Sequence, residues 1–104
     1  MGLSSLRAAF NYKVLSLRKG ESGTIGRVNG LLVISHYWVN ALPAIIWVCS
    51  PNKQYGQISG NTFDEMSFNL SWDGSGKNTQ MKITSTFNGT TAATDFVISY
   101  QEIL

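Results

Sequence analysis

Apolar side chains recur at every second position along most of this chain, and that period decides what it can build. In MSFNLSW, Met66, Phe68, Leu70 and Trp72 fall on one side while Ser67, Asn69 and Ser71 fall on the other. Such alternation marks a half-buried antiparallel strand. Residues 80–87 repeat it, with Met81, Ile83 and Phe87 inward and Lys82, Thr84 and Thr86 outward. Residues 94–103 set Phe96, Ile98 and Tyr100 against Asp95, Val97, Ser99 and Gln101, and residues 11–17 set Tyr12, Val14 and Ser16 against Lys13, Leu15 and Leu17. Shorter strands are expected at 24–28 and 54–59. Turn chemistry separates the segments: Ser50-Pro51-Asn52-Lys53, Asp73-Gly74-Ser75-Gly76 and Asn88-Gly89. No helical stripe persists beyond two turns. Seven or eight short strands with such punctuation predict an all-β, antiparallel β-sandwich or jelly roll. Residues 10–104 read as one such domain, and residues 1–9 as a linker or start.

Two segments break the alternation. Residues 31–38 (LLVISHYW) and 44–49 (AIIWVC) are continuous β-branched and aromatic runs, the pattern of strands buried on both faces. A two-layer sandwich has only one inner face per sheet, so these strands need a second apolar neighbour. A contact between subunits would supply it, with Leu31, Val33, Ile45 and Trp47 as the interface residues. Composition agrees: charged residues make up 13% of the chain against about 25% in ordinary domains. A small domain that covers so little of its surface with charge is expected to cover some of it with protein.

Several function classes are disfavoured. The net charge is +2, and the eight basic residues form no stripe, so no nucleic-acid partner is expected. The most apolar region, 31–49, is interrupted by Ser35, His36, Asn40 and Pro43 and falls short of the roughly 18 apolar residues of a membrane helix; no membrane insertion is expected. Residues 1–10 lack the apolar core of a signal peptide. The single cysteine, Cys49, can form no intrachain disulfide and reads as a buried, inert thiol. One His, one Cys and scattered carboxylates give no metal-ligand spacing, so no metal or cofactor is called for.

Catalysis finds little purchase. Ser35 precedes His36, but adjacent strand residues point to opposite faces, and a nucleophile needs its base within hydrogen-bond reach. Asp64 and Glu65 are neighbours entering a strand, whereas glycosidase carboxylates must face each other across a bond at about 5 Å or about 6.5–9.5 Å. A hydrolase built on Asp64, Glu65 or His36 is therefore a weak third reading. An aromatic and amide cluster is more suggestive. Tyr37, Trp38, Asn40, Gln54 and Tyr55 lie near strand ends; aromatic faces suit the C–H face of a sugar, and amides suit its hydroxyls. The competing explanation is that these rings pack in the core or between subunits.

The chain, over roughly residues 10 to 104, resembles the C-terminal domain of bacteriophage tailspike and tail-fibre proteins. The resemblance rests on the succession GTIGRVNG, LLVIS, AIIWV, YGQIS, FNLSWDGSG, MKITSTFNGTT and ATDFVISYQEI, a texture rather than an invariant motif. It implies a small sandwich or jelly roll that assembles as a homotrimer at the distal end of a spike, stabilises the trimer and contacts host surface polysaccharide. It also implies a place in the virion tail, outside the cell when acting and made in the host cytoplasm. No residue matches a hydrolase or lyase motif, so the resemblance implies a non-enzymatic tip. A purely structural trimerisation or folding cap, without a ligand site, is the alternative.

Overall fold

The computed structural model describes residues 11–36, 42–88 and 93–102. Eight strands form two antiparallel sheets: β1 Asn11–Leu17, β2 Ser22–Gly26, β3 Val28–His36, β4 Ala44–Cys49, β5 Gln54–Ser59, β6 Phe68–Asp73, β7 Gln80–Ser85 and β8 Thr94–Glu102. The larger sheet has the order β1-β8-β3-β4-β5 and the smaller β2-β7-β6. This is the all-β sandwich that the alternation predicts. The chain passes between sheets within two residues, where β2 ends at a register shift between Thr24 and Gly26 and β3 begins at Val28. The strand expected over 24–28 is thus two strand ends meeting at a corner.

The core lies between the sheets because each strand sends alternate residues inward. Leu32, Ile34, Ala44, Ile46, Phe96 and Ile98 from the larger sheet meet Ile25, Phe68, Met81 and Ile83 from the smaller, all fully buried. Phe68 and Phe96 touch edge to face across the gap, their centroids 6.1 Å apart. On β1 the two sets part as read, with Lys13, Leu15 and Leu17 turned inward and Tyr12, Val14 and Ser16 outward. Inward and outward sets along β6, β7 and β8 match the sequence reading, save that Met66 belongs to no strand. It ends a one-turn helix, α1 Phe63–Met66, whose capping box joins Thr62 and Glu65. Ser67 closes the turn in the left-handed region at φ 60°, and Met66 still reaches the core.

One side chain seals a sandwich corner. Lys13 lies on the inward side of the edge strand β1, where a charge would be costly if unpaired. Its ammonium donates to the carbonyls of Ile25 at 2.8 Å and Thr24 at 3.2 Å and sits over the Tyr100 ring at 5.5 Å. It satisfies backbone groups of β2 where the ladder is broken.

Candidate functional site

The two outer faces of the sandwich differ in chemistry. On the smaller sheet, cross-strand rows read Ser22–Thr84–Asn69 and Thr24–Lys82–Ser71, a hydroxyl and amide surface suited to water; the Ser22 and Thr84 hydroxyls bond at 2.6 Å. On the larger sheet the rows read Val14–Val97–Ser35, Tyr12–Ser99–Val33–Ile45–Ser59 and Leu31–Trp47–Gly56. This second face carries apolar side chains on four strands, set among Ser16, Ser35, Ser59 and Ser99 and bounded by the row Asn29–Cys49–Gln54. Among the described residues its one carboxylate, Asp95, accepts from the Ser16 hydroxyl.

All four residues assigned from sequence to an interface, Leu31, Val33, Ile45 and Trp47, stand on this face. Residues 31–38 and 44–49 are expected to need a second apolar neighbour; over the described 31–36 and 44–49, a single chain encloses one side only. Within one chain, Leu32, Ile34, Ala44, Ile46 and Val48 are enclosed, but Leu31 is 43% and Trp47 44% exposed, and Val33 and Ile45 are half-buried. Tyr12, at 68%, and Val14, at 46%, extend the patch to the sheet edge. We put the exposed apolar area on the order of 500 Å², within the range of the largest patch on a typical monomer. Cys49 corrects a second expectation: it is half-buried on this same face, not sealed in the core.

Trp47 takes its position from a glycine. A Cβ on Gly56, its neighbour on β5, would stand 2.4 Å from the indole Nε1, 2.7 Å from Cε2 and 2.9 Å from Cζ2. Only the missing side chain lets the ring lie across β5. The free edge of β5 is itself blunted. A register shift separates its Ile45 and Ile46 pairings, and the Gln57 amide donates to the carbonyls of Ser59 at 3.1 Å and Asn61 at 2.5 Å. Bulges and capped carbonyls discourage edge-to-edge pairing.

Of the residues expected to contact sugar, Tyr37, Trp38 and Asn40 lie outside the described residues. Gln54 and Tyr55 are described, and they diverge: Gln54 pairs with Cys49 on the outer side, Tyr55 with Val48 on the inner side. Tyr55 instead joins an aromatic seam at the open edge of the sandwich. Its ring stacks on Phe63 at 5.8 Å and 28° and meets Trp72 at 6.1 Å, while Phe63 leans on Phe68 at 4.8 Å. The seam spans β5, α1 and β6 and leaves Tyr55 partly exposed. Phe63 and Trp72 were not singled out from sequence, because nothing in the alternation says that these edges meet.

The residues weighed for catalysis do not converge. Ser35 faces outward opposite Val97, and His36 faces inward opposite Phe96. The His36 ring lies edge-on to Phe87 and Phe96, at 4.9 and 5.0 Å, and burial lowers its pKa against an opposing backbone hydrogen bond. The Glu65 carboxylate is engaged by Thr62 N–H at 3.0 Å, the Thr62 hydroxyl at 2.8 Å and the Asn61 amide at 3.1 Å. These bonds, led by that of the Thr62 backbone, lower its pKa; it caps a helix rather than facing Asp64. Among the described residues no three His, Cys, Asp or Glu side chains gather to hold a metal, and no helix is long and apolar enough to cross a membrane.

The fold is an antiparallel sandwich whose two outer faces differ, one hydroxyl- and amide-rich and the other with exposed apolar side chains. No family model, curated protein or solved structure matches the chain.

Proposed function

We propose that this domain is a non-enzymatic assembly and attachment module: the trimeric tip of a phage tailspike or tail fibre, binding host surface polysaccharide and stabilising the trimer. The observation that carries the reading is the contrast between the two outer faces. Water-facing sheets alternate apolar and polar residues, and the smaller sheet does so; the larger sheet instead sets Tyr12, Val14, Leu31, Val33, Ile45 and Trp47 outward among serines, a pattern that favours burial of part of its outer face against copies of the same chain. Polysaccharide contact draws its support from the partly exposed Tyr55 ring in its seam with Phe63 and Trp72, together with the texture of the sequence. Linked weak sites on a trimer gain apparent affinity through effective concentration.

Titration calorimetry of the assembled protein with bacterial surface polysaccharides tests the ligand half. Heats that vanish in Tyr55→Ala while the assembly persists support it. Flat heats from an intact assembly leave the purely structural cap, the second reading, which the closure of the sandwich edge by the same seam favours.

A further inference from the structure

Among the described residues four strands end a sheet, β1 and β5 in the larger and β2 and β6 in the smaller. The smaller sheet has three strands against five and is overhung at both ends: Lys13 of β1 reaches to the carbonyls of β2, and Tyr55 of β5 reaches to Trp72 of β6. A second sandwich brought to β2 or β6 would collide with the overhanging strand. The β5 edge is blunted by its register shift and by Gln57. That leaves β1, which runs in unbroken register with β8 and holds no Pro or Gly. Lys13 is the kind of inward charge that guards an edge, but its ammonium is turned under the sheet into β2.

The phase of the ladder determines what this edge offers. Along an antiparallel strand, successive residues turn their N–H and C=O to opposite neighbours. The Val28 N–H points to the β4 side, where it donates to Ser50 Oγ at 2.9 Å. Carried through the registers of β3, β8 and β1, this turns the backbone groups of Asn11, Lys13, Leu15 and Leu17 to β8, and those of Tyr12, Val14 and Ser16 to the open edge. Among the described residues no backbone bond outside the ladders reaches these three.

We infer that β1 pairs with β1 of a second copy, antiparallel about a two-fold axis at Val14, so that two larger sheets run on as one. Tyr12 then faces Ser16 of the second copy, Val14 faces itself, and the N–H and C=O of all three residues are bonded. Side chains favour a copy of this chain over any other strand. Ser16 is small, and the next residue on its row is Asp95, two strand spacings or about 10 Å from Tyr12 of the second copy. A tyrosine lying over the serine spans that gap, and its hydroxyl donates to the carboxylate that Ser16 already engages. The two-fold axis makes this contact twice. One strand pair is smaller than the interface of a stable complex, so the contact is weak and adds nothing to the molar mass at micromolar concentration. It is separate from the trimer proposed above and stands or falls without it.

Disulfide trapping of the full chain tests this, with each variant made in a Cys49→Ser background. Facing residues of a hydrogen-bonded antiparallel pair stand about 5.5 Å apart at Cα, within disulfide reach. Val14→Cys should therefore oxidise to a two-chain product at least about tenfold faster than Tyr12→Cys or Ser16→Cys alone, whose thiols the two-fold axis holds about 15 Å apart. Tyr12→Cys mixed with Ser16→Cys should give the mixed dimer ahead of either homodimer. Tyr12→Phe added to Val14→Cys should slow trapping at least about tenfold, through loss of a hydrogen bond to a charged group. Equal rates for Val14→Cys, Tyr12→Cys and Ser16→Cys mean random collision and overturn the pairing, as does a mixture without excess of the mixed dimer. An unaltered rate with Tyr12→Phe overturns the Asp95 contact, and with it the choice of a second copy as the occupant.

Discussion

Neighbouring residues on β4 should fail in different ways when altered. Trp47 is 44% exposed, whereas Ile46, on the other side of the strand, is fully buried. Aromatic side chains bury about 150–250 Å² when enclosed, so a partner would cover about 100 Å² more of Trp47. At about 25 cal/mol per Å² that is about 2.5 kcal/mol per contact, or about seventyfold in the association constant. Trp47→Thr puts a β-branched residue in the strand and should lose most of that binding, while loss of the part of the ring already packed within the chain costs the domain about 2–3 kcal/mol by the same measure. Ile46→Ala should cost about 2–5 kcal/mol of domain stability through a core cavity. Sedimentation velocity over a dilution series reads the first effect; urea unfolding below the assembly concentration reads the second. If Trp47→Thr leaves association unchanged, or Ile46→Ala weakens association as much as Trp47→Thr does, the outer face is not the adhesive surface.

Three further outcomes follow from particular residues. The lowered pKa of His36 means that the unfolded chain binds its proton first as pH falls. Stability should therefore be complete above about pH 6.5 and decline below it down to the folded pKa, by at most about 1.4 kcal/mol per pH unit; thermal melts at several pH values should show the slope, and His36→Phe should flatten it. Gly60 has φ +90°, and a Cβ there would stand 1.8 Å from the Pro43 carbonyl oxygen, so Gly60→Ala should cost at least about 2 kcal/mol in urea unfolding, more than Gly20→Ala, where nothing lies within 4 Å. Thr62→Ala removes the α1 capping box and should cost about 1 kcal/mol by the same assay.

The strands were legible because their period is local. The spans of β1, β4 and β5, and the inward sets of β6, β7 and β8, follow from which residue lies two positions away, a relation that pleating imposes without tertiary help. The outward placement of Leu31, Val33, Ile45 and Trp47 was legible for the same reason: they are the odd positions in two runs where a monomer needs only the even ones. What was hidden depends on contacts between distant segments. Met66 sits in phase with Phe68 and reads as strand, yet the Thr62–Glu65 capping box turns it into helix. Tyr55 meets Phe63 and Trp72 only because β5 and β6 are the neighbouring edges of different sheets, and strand order is not written in a period of two. Cys49 ends an apolar run and so reads as core, but its parity with Trp47 sends it outward.

The most direct measurement is the molar mass in solution, by size-exclusion chromatography with light scattering over a wide concentration range. An apolar outer face sealed by copies of the chain predicts three chain masses, falling toward one in Trp47→Thr. A single chain mass at the highest concentration, with the wild type folded, would contradict it.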